Sequence, residues 1–179
     1  MTSTQIPIKI CVMSNPNTIA TDLLQDYTGD APTREVLIEG KYNFIKEIDA
    51  DNFHISVYLS QLFSQESLKK IREKHYRGAI GVIYIYQKND NSSFKSAQSL
   101  YNEFKQLEFF SDYQIIFLGI LDREVANTDI NPLLKENKIT YLEVMEGNVQ
   151  TFDKIIRSII SHSSYFQAMT QGSCDLSVI

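Results

Sequence analysis

The first place where this chain could do chemistry is the loop after the apolar run Ile8–Met13 (IKICVM). That run has the β-branched, unbroken pattern of a strand buried on both faces. In an open α/β sheet, ligands bind beyond the carboxyl ends of the strands. The run leads into Ser14-Asn15-Pro16-Asn17-Thr18-Ile19-Ala20-Thr21. A phosphate-binding loop in this place reads G-x-x-x-x-G-K-[ST]. Its glycines let backbone N–H groups wrap the phosphates, its Lys neutralises charge, and its hydroxyl holds Mg²⁺. Here Ser14 and Ile19 replace the glycines and Ala20 replaces the Lys, so only Thr21 fits its slot. Pro16 removes one N–H, and a β-branched Ile19 resists the positive φ open to glycine. These residue types predict the loss of the usual phosphate cradle.

The elements that would position this loop alternate between strand and helix. Thr18–Tyr27 reads as a short helix capped by Thr18, and Phe44–Ile48 and His54–Leu59 as a hairpin turning at Asp51-Asn52. Gln65–Tyr76 is helical, with Leu68 and Ile71 at helical spacing and Ser64 as candidate cap. Strand Ile80–Tyr86 precedes a helix from about Ser92 to Leu107, where Phe94, Ala97, Leu100, Tyr101 and Phe104 recur at three and four residues. Ile115–Gly119 and Ile139–Met145 are further strands, with a short helix or turn over Ile130–Asn137 between them. Val149–Ser163 is a helix with Phe152, Ile155, Ile156, Ile159 and Ile160 on one face. The pattern predicts an α/β domain: a mostly parallel six-stranded sheet, helices on both faces, one antiparallel edge strand.

The totals narrow the function classes. At 179 residues the chain is long enough for one compact domain with a sizeable core. A net charge of −5 with scattered Lys and Arg predicts neither a nucleic-acid groove nor a polybasic membrane patch. Cys11 and Cys174 are too far apart in pattern to suggest a disulfide framework or zinc site, and Cys11 reads as a buried, inert thiol. No apolar run reaches the length of a membrane span, so a cytoplasmic location is expected.

Several motifs carry a family likeness. Tyr76-Arg77-Gly78-Ala79 precedes the strand Ile80–Tyr86, and Asn89-Asp90-Asn91-Ser92-Ser93 comes after it, before Phe94. With "SQESLKKI" at Ser64–Ile71 and "NVQTF" at Asn148–Phe152, this resembles the small GTPases of the Ras superfamily, closest to the Rab branch. The likeness covers roughly residues 8 to 163, leaving 164–179 as a polar, flexible tail. It implies the Ras-like P-loop GTPase fold.

Carried over residue by residue, the resemblance implies mostly losses. The threonine that senses Mg²⁺ and the third phosphate falls at Ile38, with Thr33 nearby; the metal-side aspartate falls at Gln61 and its glycine at Ser64. Gln65 matches the water-orienting glutamine and Glu66 its neighbour. The guanine signature N-K-x-D falls on Ile120-Leu121-Asp122-Arg123, with Asp122 one position early, and S-A-K falls on Met145-Glu146-Gly147. The aromatic triad of the Rab effector surface falls on Asn43, Ser60 and His75.

The resemblance and its losses together imply a pseudo-GTPase: no enzyme, no cofactor, no nucleotide or metal ligands, and a scaffold role in vesicle or ciliary trafficking. The partner implied is a helical or coiled-coil protein met through Tyr42, Phe44, Leu62, Phe63 and His75. The alternative is an atypical switch that binds GTP or GDP with Mg²⁺ through Thr21, Gln65 and Asp122, with very slow or no hydrolysis. An unrelated doubly wound enzyme finds no Ser-His-Asp, Cys-His or paired-carboxylate support. Cys174 makes no C-a-a-X box, so no lipid anchor is expected and any membrane or cilium association would run through partners. Ser177 and Ile179 suggest a PDZ-type tail contact.

Overall fold

The computed structural model describes residues 4–15, 19–29, 41–50, 53–107, 113–121 and 139–170. Expectations placed on Thr18, Thr33, Ile38, Asp51, Asn52, Asp122, Arg123, Cys174, Ser177 and Ile179, and on a helix over 130–137, lie outside the described residues. The strands are β1 (Thr4–Ser14), β2 (Lys41–Ala50), β3 (Phe53–Phe63), β4 (Gly81–Gln87), β5 (Gln114–Leu121) and β6 (Ile139–Met145). They form one sheet in the order β2-β3-β1-β4-β5-β6. β2 runs antiparallel to β3 at one edge, and every other pairing is parallel. This is the expected Ras-like α/β architecture, with five parallel strands and one antiparallel.

β1 and β3 are longer than their apolar runs suggest because they extend each other. Their ladder is unbroken from Thr4 opposite Phe53 to Ser14 opposite Phe63, and it carries polar residues such as Gln5 and Gln61 that hydrophobicity alone leaves out. The ladder also sets Gln61 beside Val12 and Ser14 beside Phe63, which fixes the geometry at the carboxyl ends.

The helices are α1 (Ala20–Thr28), α2 (Lys69–Tyr76), α3 (Asn91–Phe104), α4 (Val149–Ser161) and α5 (Ser164–Thr170). Asp90 caps α3 by accepting from the Ser92 backbone N–H at 2.8 Å, and Asn148 caps α4 by accepting from Thr151 N–H at 3.0 Å. One turn of 3₁₀ helix, Glu66–Leu68, leads into α2. Ser64, expected as a cap there, instead donates its hydroxyl to Asn15. Gly78 in the Tyr-Arg-Gly-Ala turn holds φ at 77°, a conformation that other residues resist.

The two faces of the sheet are packed differently. Alternation along β4 sends Ile83 and Ile85 to the side of α1 and α4, and Val82, Tyr84 and Tyr86 to the side of α3. On the first side lie Leu23 and Leu24 of α1 with Phe152, Ile155, Ile156, Ile159 and Ile160, the apolar face read from the spacing of α4. Full burial of each such side chain contributes about 1.5–3 kcal/mol. The Tyr27 hydroxyl donates to Asp153 at 2.9 Å and its ring meets Phe152 edge-on, which joins α1 to α4. On the other side, Ala97, Leu100, Tyr101 and Phe104 of α3 cover an aromatic layer that includes Tyr76, Tyr84 and Phe117. Cys11 is buried there, and burial pushes its thiol up to about 12, so it is inert as expected.

Two elements differ from the sequence reading. Leu68 and Ile71 of the α2 region are only half-buried, while Arg72 is buried by an ion pair to α3. Residues 164–170, expected in the tail, form α5, which places Phe166 in the core and buries Thr170. The positions it buries, Phe166 and Thr170, are one apolar and one polar residue four apart, and Tyr165 and Met169 are exposed, so the segment has no apolar face to read from spacing. Among the described residues no helix is long and apolar enough to cross a membrane.

The hydroxyls of Tyr76 and Tyr84 are buried side by side without a well-formed hydrogen bond. Replacing both members of such a pair by apolar groups of the same shape is close to neutral. The double variant Tyr76→Phe/Tyr84→Phe is expected to match or exceed the parent in urea unfolding. A loss above about 1 kcal/mol would mean that the hydroxyls are well paired.

Candidate functional site

The carboxyl ends of β1 and β3 meet the start of α1 in a compact polar knot. Gln61, 0% exposed, donates its amide N–H to the Ser14 hydroxyl at 2.9 Å and to the Thr21 hydroxyl at 3.0 Å. The Thr21 hydroxyl in turn lies 3.2 Å from the Gln61 carbonyl oxygen. Next to it, Asn15 accepts from the Ser64 hydroxyl at 2.7 Å and from the Ser96 hydroxyl at 2.6 Å. The loop after β1 is thus tied to β3 through Gln61 and Ser64, and to α3 through Ser96. All six side chains are neutral amides or hydroxyls. Ala20 is buried at the first position of α1, on the apolar side.

A second feature opens on the other flank of α1. A cavity of about 360 Å³ is lined by Ile19 just before α1, Asp22, Leu23 and Asp26 from α1, Ile120 from β5, Val144 and Met145 from β6, and Glu146 and Gly147 from the turn that follows it. Its walls are apolar and its rim carries three carboxylates, and its size falls within the roughly 300–1,000 Å³ of small-molecule sites. The β6–α4 turn is fixed by the Glu146 N–H on the Leu121 carbonyl at 3.0 Å and by Gly147 at φ 74°. That backbone conformation explains the glycine where the S-A-K pattern has a lysine.

The two features lie where a nucleotide would be held in an α/β sheet, one at each flank of α1. The lining has the chemistry a base and ribose need: Ile120, Val144 and Met145 would offer faces to a flat ring, and the carboxylates of Glu146, Asp22 and Asp26 could accept from ring N–H or ribose hydroxyl groups. At the other end, Thr21 and Gln61 offer neutral oxygens of the kind Mg²⁺ takes. An amide in place of a carboxylate weakens the attraction for a divalent cation.

The sequence-expected residues divide accordingly. Thr21 stands in the polar knot, as its place in the loop suggested. Gln65 has an exposed side chain at the start of the 3₁₀ turn, away from those hydrogen bonds, while Gln61 carries the contacts. Among the residues expected to meet a partner, Phe44, Leu62 and Phe63 are buried, and Tyr42 packs edge-on to Phe63 with ring centroids 5.1 Å apart. His75 is half-buried and its carbonyl accepts from Lys9. At two triad positions the Ser60 hydroxyl bonds Asn43 across the β2–β3 ladder at 3.1 Å. The cavity residues Asp22 and Asp26 went unread because an exposed acidic pair four residues apart looks like any solvated helix face.

The fold, with a polar knot and a cavity at the carboxyl ends of its strands, is that of an open α/β domain of the ligand-binding type. The family described as "Ras family" matches residues 9–164, and the chain belongs to that family. It is 25% identical over 161 residues to Ras-related protein Rab-11C of Dictyostelium discoideum, an overlap of 84% of this chain and 71% of that one. It is 25% identical over 128 residues to Ras-related protein Rab-11B of the same organism, covering 67% of this chain and 58% of the relative. Over 167 residues it is 20% identical to GTP-binding protein yptV5 of Volvox carteri, covering 93% and 82%. Against Rab-11B the chain thus spans less than two thirds of the relative's length.

Family membership corrects two expectations: that the chain is no enzyme, and that it has no cofactor. The Ras family consists of proteins that bind GTP or GDP with Mg²⁺ and typically hydrolyse GTP, and the match spans nearly the whole domain. The physical reason for the error is visible in the site. Taken one by one, the motif residues read as losses, whereas the cavity is built by the backbone placement of α1, β5 and β6, which survives their replacement.

Gln61→Leu leaves the buried Ser14 hydroxyl and the Thr21 hydroxyl without their amide partner. Stability is expected to fall by about 1–3 kcal/mol in chemical denaturation. An unchanged midpoint would show that the polar knot does not hold the loop.

Proposed function

We propose that this protein is an atypical guanine-nucleotide-binding switch of the small-GTPase type, with a remodelled phosphate end and very slow hydrolysis. The observation that carries the reading is the cavity between α1 and the ends of β5 and β6, in a chain matched by the Ras family over residues 9–164. Recognition is weighted toward base and ribose. Ile120 and Met145 flank the ring, and Glu146 accepts from the N–H edge that guanine presents and adenine does not. At the phosphate end the knot of Ser14, Gln61 and Thr21 supplies hydroxyl and amide dipoles. Hydrolysis is slow because the Gln65 side chain stands exposed and the metal end is neutral. The Rab likeness supports a setting in membrane traffic. A protein partner would meet the half-buried Tyr42 and His75.

The test is a titration of nucleotide-free protein with a fluorescent GDP in the presence of Mg²⁺, followed by competition. Saturable binding at about micromolar strength, or a few tens of times weaker, is expected, with GTP displacing the probe and ATP failing to. No binding up to about 1 mM would contradict the reading. Equal displacement by ATP would remove Glu146 as a reader of guanine.

A further inference from the structure

The segment that joins β3 to α2 is held by a buried arginine. Arg72 on α2 is 1% exposed, and each of its donor nitrogens is used. Its Nε and Nη2 grip both carboxylate oxygens of Glu103 on α3, at 3.0 and 2.6 Å. Its Nη1 donates to the carbonyl of Phe63, the last residue of β3, at 2.8 Å, and to the carbonyl of Gln65 at 2.6 Å. Glu103 is itself 10% exposed, so the pair is removed from solvent and neither charge can be released without stranding the other. Between the two pinned carbonyls, the Ser64 hydroxyl bonds Asn15 at the end of β1. Ser96 of α3 bonds the same Asn15 oxygen. Phe63 is also packed edge-on against Tyr42 of β2. Three successive residues are therefore fixed by β1, β2, α2 and α3, and each of these contacts is made by the protein itself.

We propose that the Arg72–Glu103 pair is a lock that holds residues 63–72 in one conformation whichever nucleotide is bound. A segment that reports on nucleotide needs two arrangements of similar free energy, with the ligand choosing between them. Here a second arrangement requires a buried bidentate ion pair and two charge-assisted bonds to carbonyls to break together, which removes the near-degeneracy. Arg72 is thus a positioning residue for the Gln65 backbone, and it keeps the exposed Gln65–Ser67 surface constant. The part of this inference that concerns nucleotide rests on the proposed function; the part that concerns the lock does not.

The experiment is hydrogen exchange of the full chain over 63–72, read as nucleotide-free protein, with GDP, and with a non-hydrolysable GTP analogue. Nucleotide occupancy is measured by fluorescence on the same samples. Exchange in the parent is expected to be slow in all three states and to agree within about threefold. Glu103→Gln keeps the shape and removes the charge, and it is expected to speed exchange over 63–72 by about tenfold or more while β4 and β5 stay protected. If that variant does not fold, Arg72→Lys, which keeps the charge and loses the fork, gives the same comparison. A difference of about tenfold between the GDP and GTP-analogue forms of the parent overturns the lock. So does loop-like exchange in the nucleotide-free parent, or a variant that exchanges as the parent does. If no nucleotide binds, the proposed function fails, and the nucleotide-free parent compared with Glu103→Gln still decides the lock.

Discussion

The structure turns on a buried neutral amide. Gln61 sits at 0% exposure near the end of β3 and bonds Ser14 at the end of β1 and Thr21 in the first turn of α1. A buried amide left without partners costs about 1–3 kcal/mol, so these bonds are needed to keep Gln61 inside. By meeting them, the protein attaches the start of α1 to the central strands. The seat of α1 then decides where Ile19, Asp22, Leu23 and Asp26 stand relative to β5 and β6, and so the shape of the cavity between them. The same interaction sets the electrostatics at the phosphate end, where hydrogen-bond dipoles stand in place of full charges.

Around that point the two faces of the sheet share the remaining demands. The side of α1 and α4 is aliphatic, closed by Phe152 and the isoleucines of α4, and α5 adds Phe166 to it. The side of α3 is aromatic and contains a deeply buried arginine, Arg72. The split matters for function. The aliphatic side adjoins the cavity, whereas on the aromatic side Arg72, paired with Glu103, bonds the carbonyls of the segment that leaves β3. One flank of the domain adjoins a cavity and the other holds a buried ion pair.

Much of this was legible in the sequence where a single periodicity decided the outcome. The apolar stripe of α4, the paired hairpin strands and the buried run containing Cys11 needed only spacing and side-chain type. What escaped was decided by contacts between distant residues. Arg72 looks like one more cation on a solvated helix until Glu103, 31 residues later, is brought against it. Phe44, Leu62 and Phe63 looked available to a partner because a lone strand does not reveal which of its faces is covered. The substitutions at Ser14, Ala20, Gln61 and Gly147 were visible, but their meaning was not. Gln61 reads as a missing carboxylate when motifs are matched singly, and as the centre of a hydrogen-bond network once β1 and β3 are paired.

The central claim is that this Ras-family domain recognises nucleotide through a base-and-ribose cavity while its phosphate end acts by neutral dipoles. The most direct measurement is the affinity of one protein for guanosine, GMP, GDP and GTP, by competition against the same fluorescent probe. Neutral dipoles gain little from each added phosphate, so the account predicts dissociation constants within about tenfold across the series, or about 1.4 kcal/mol. GDP and GTP binding about a thousandfold or more tightly than GMP would place the binding energy on the phosphates and contradict it.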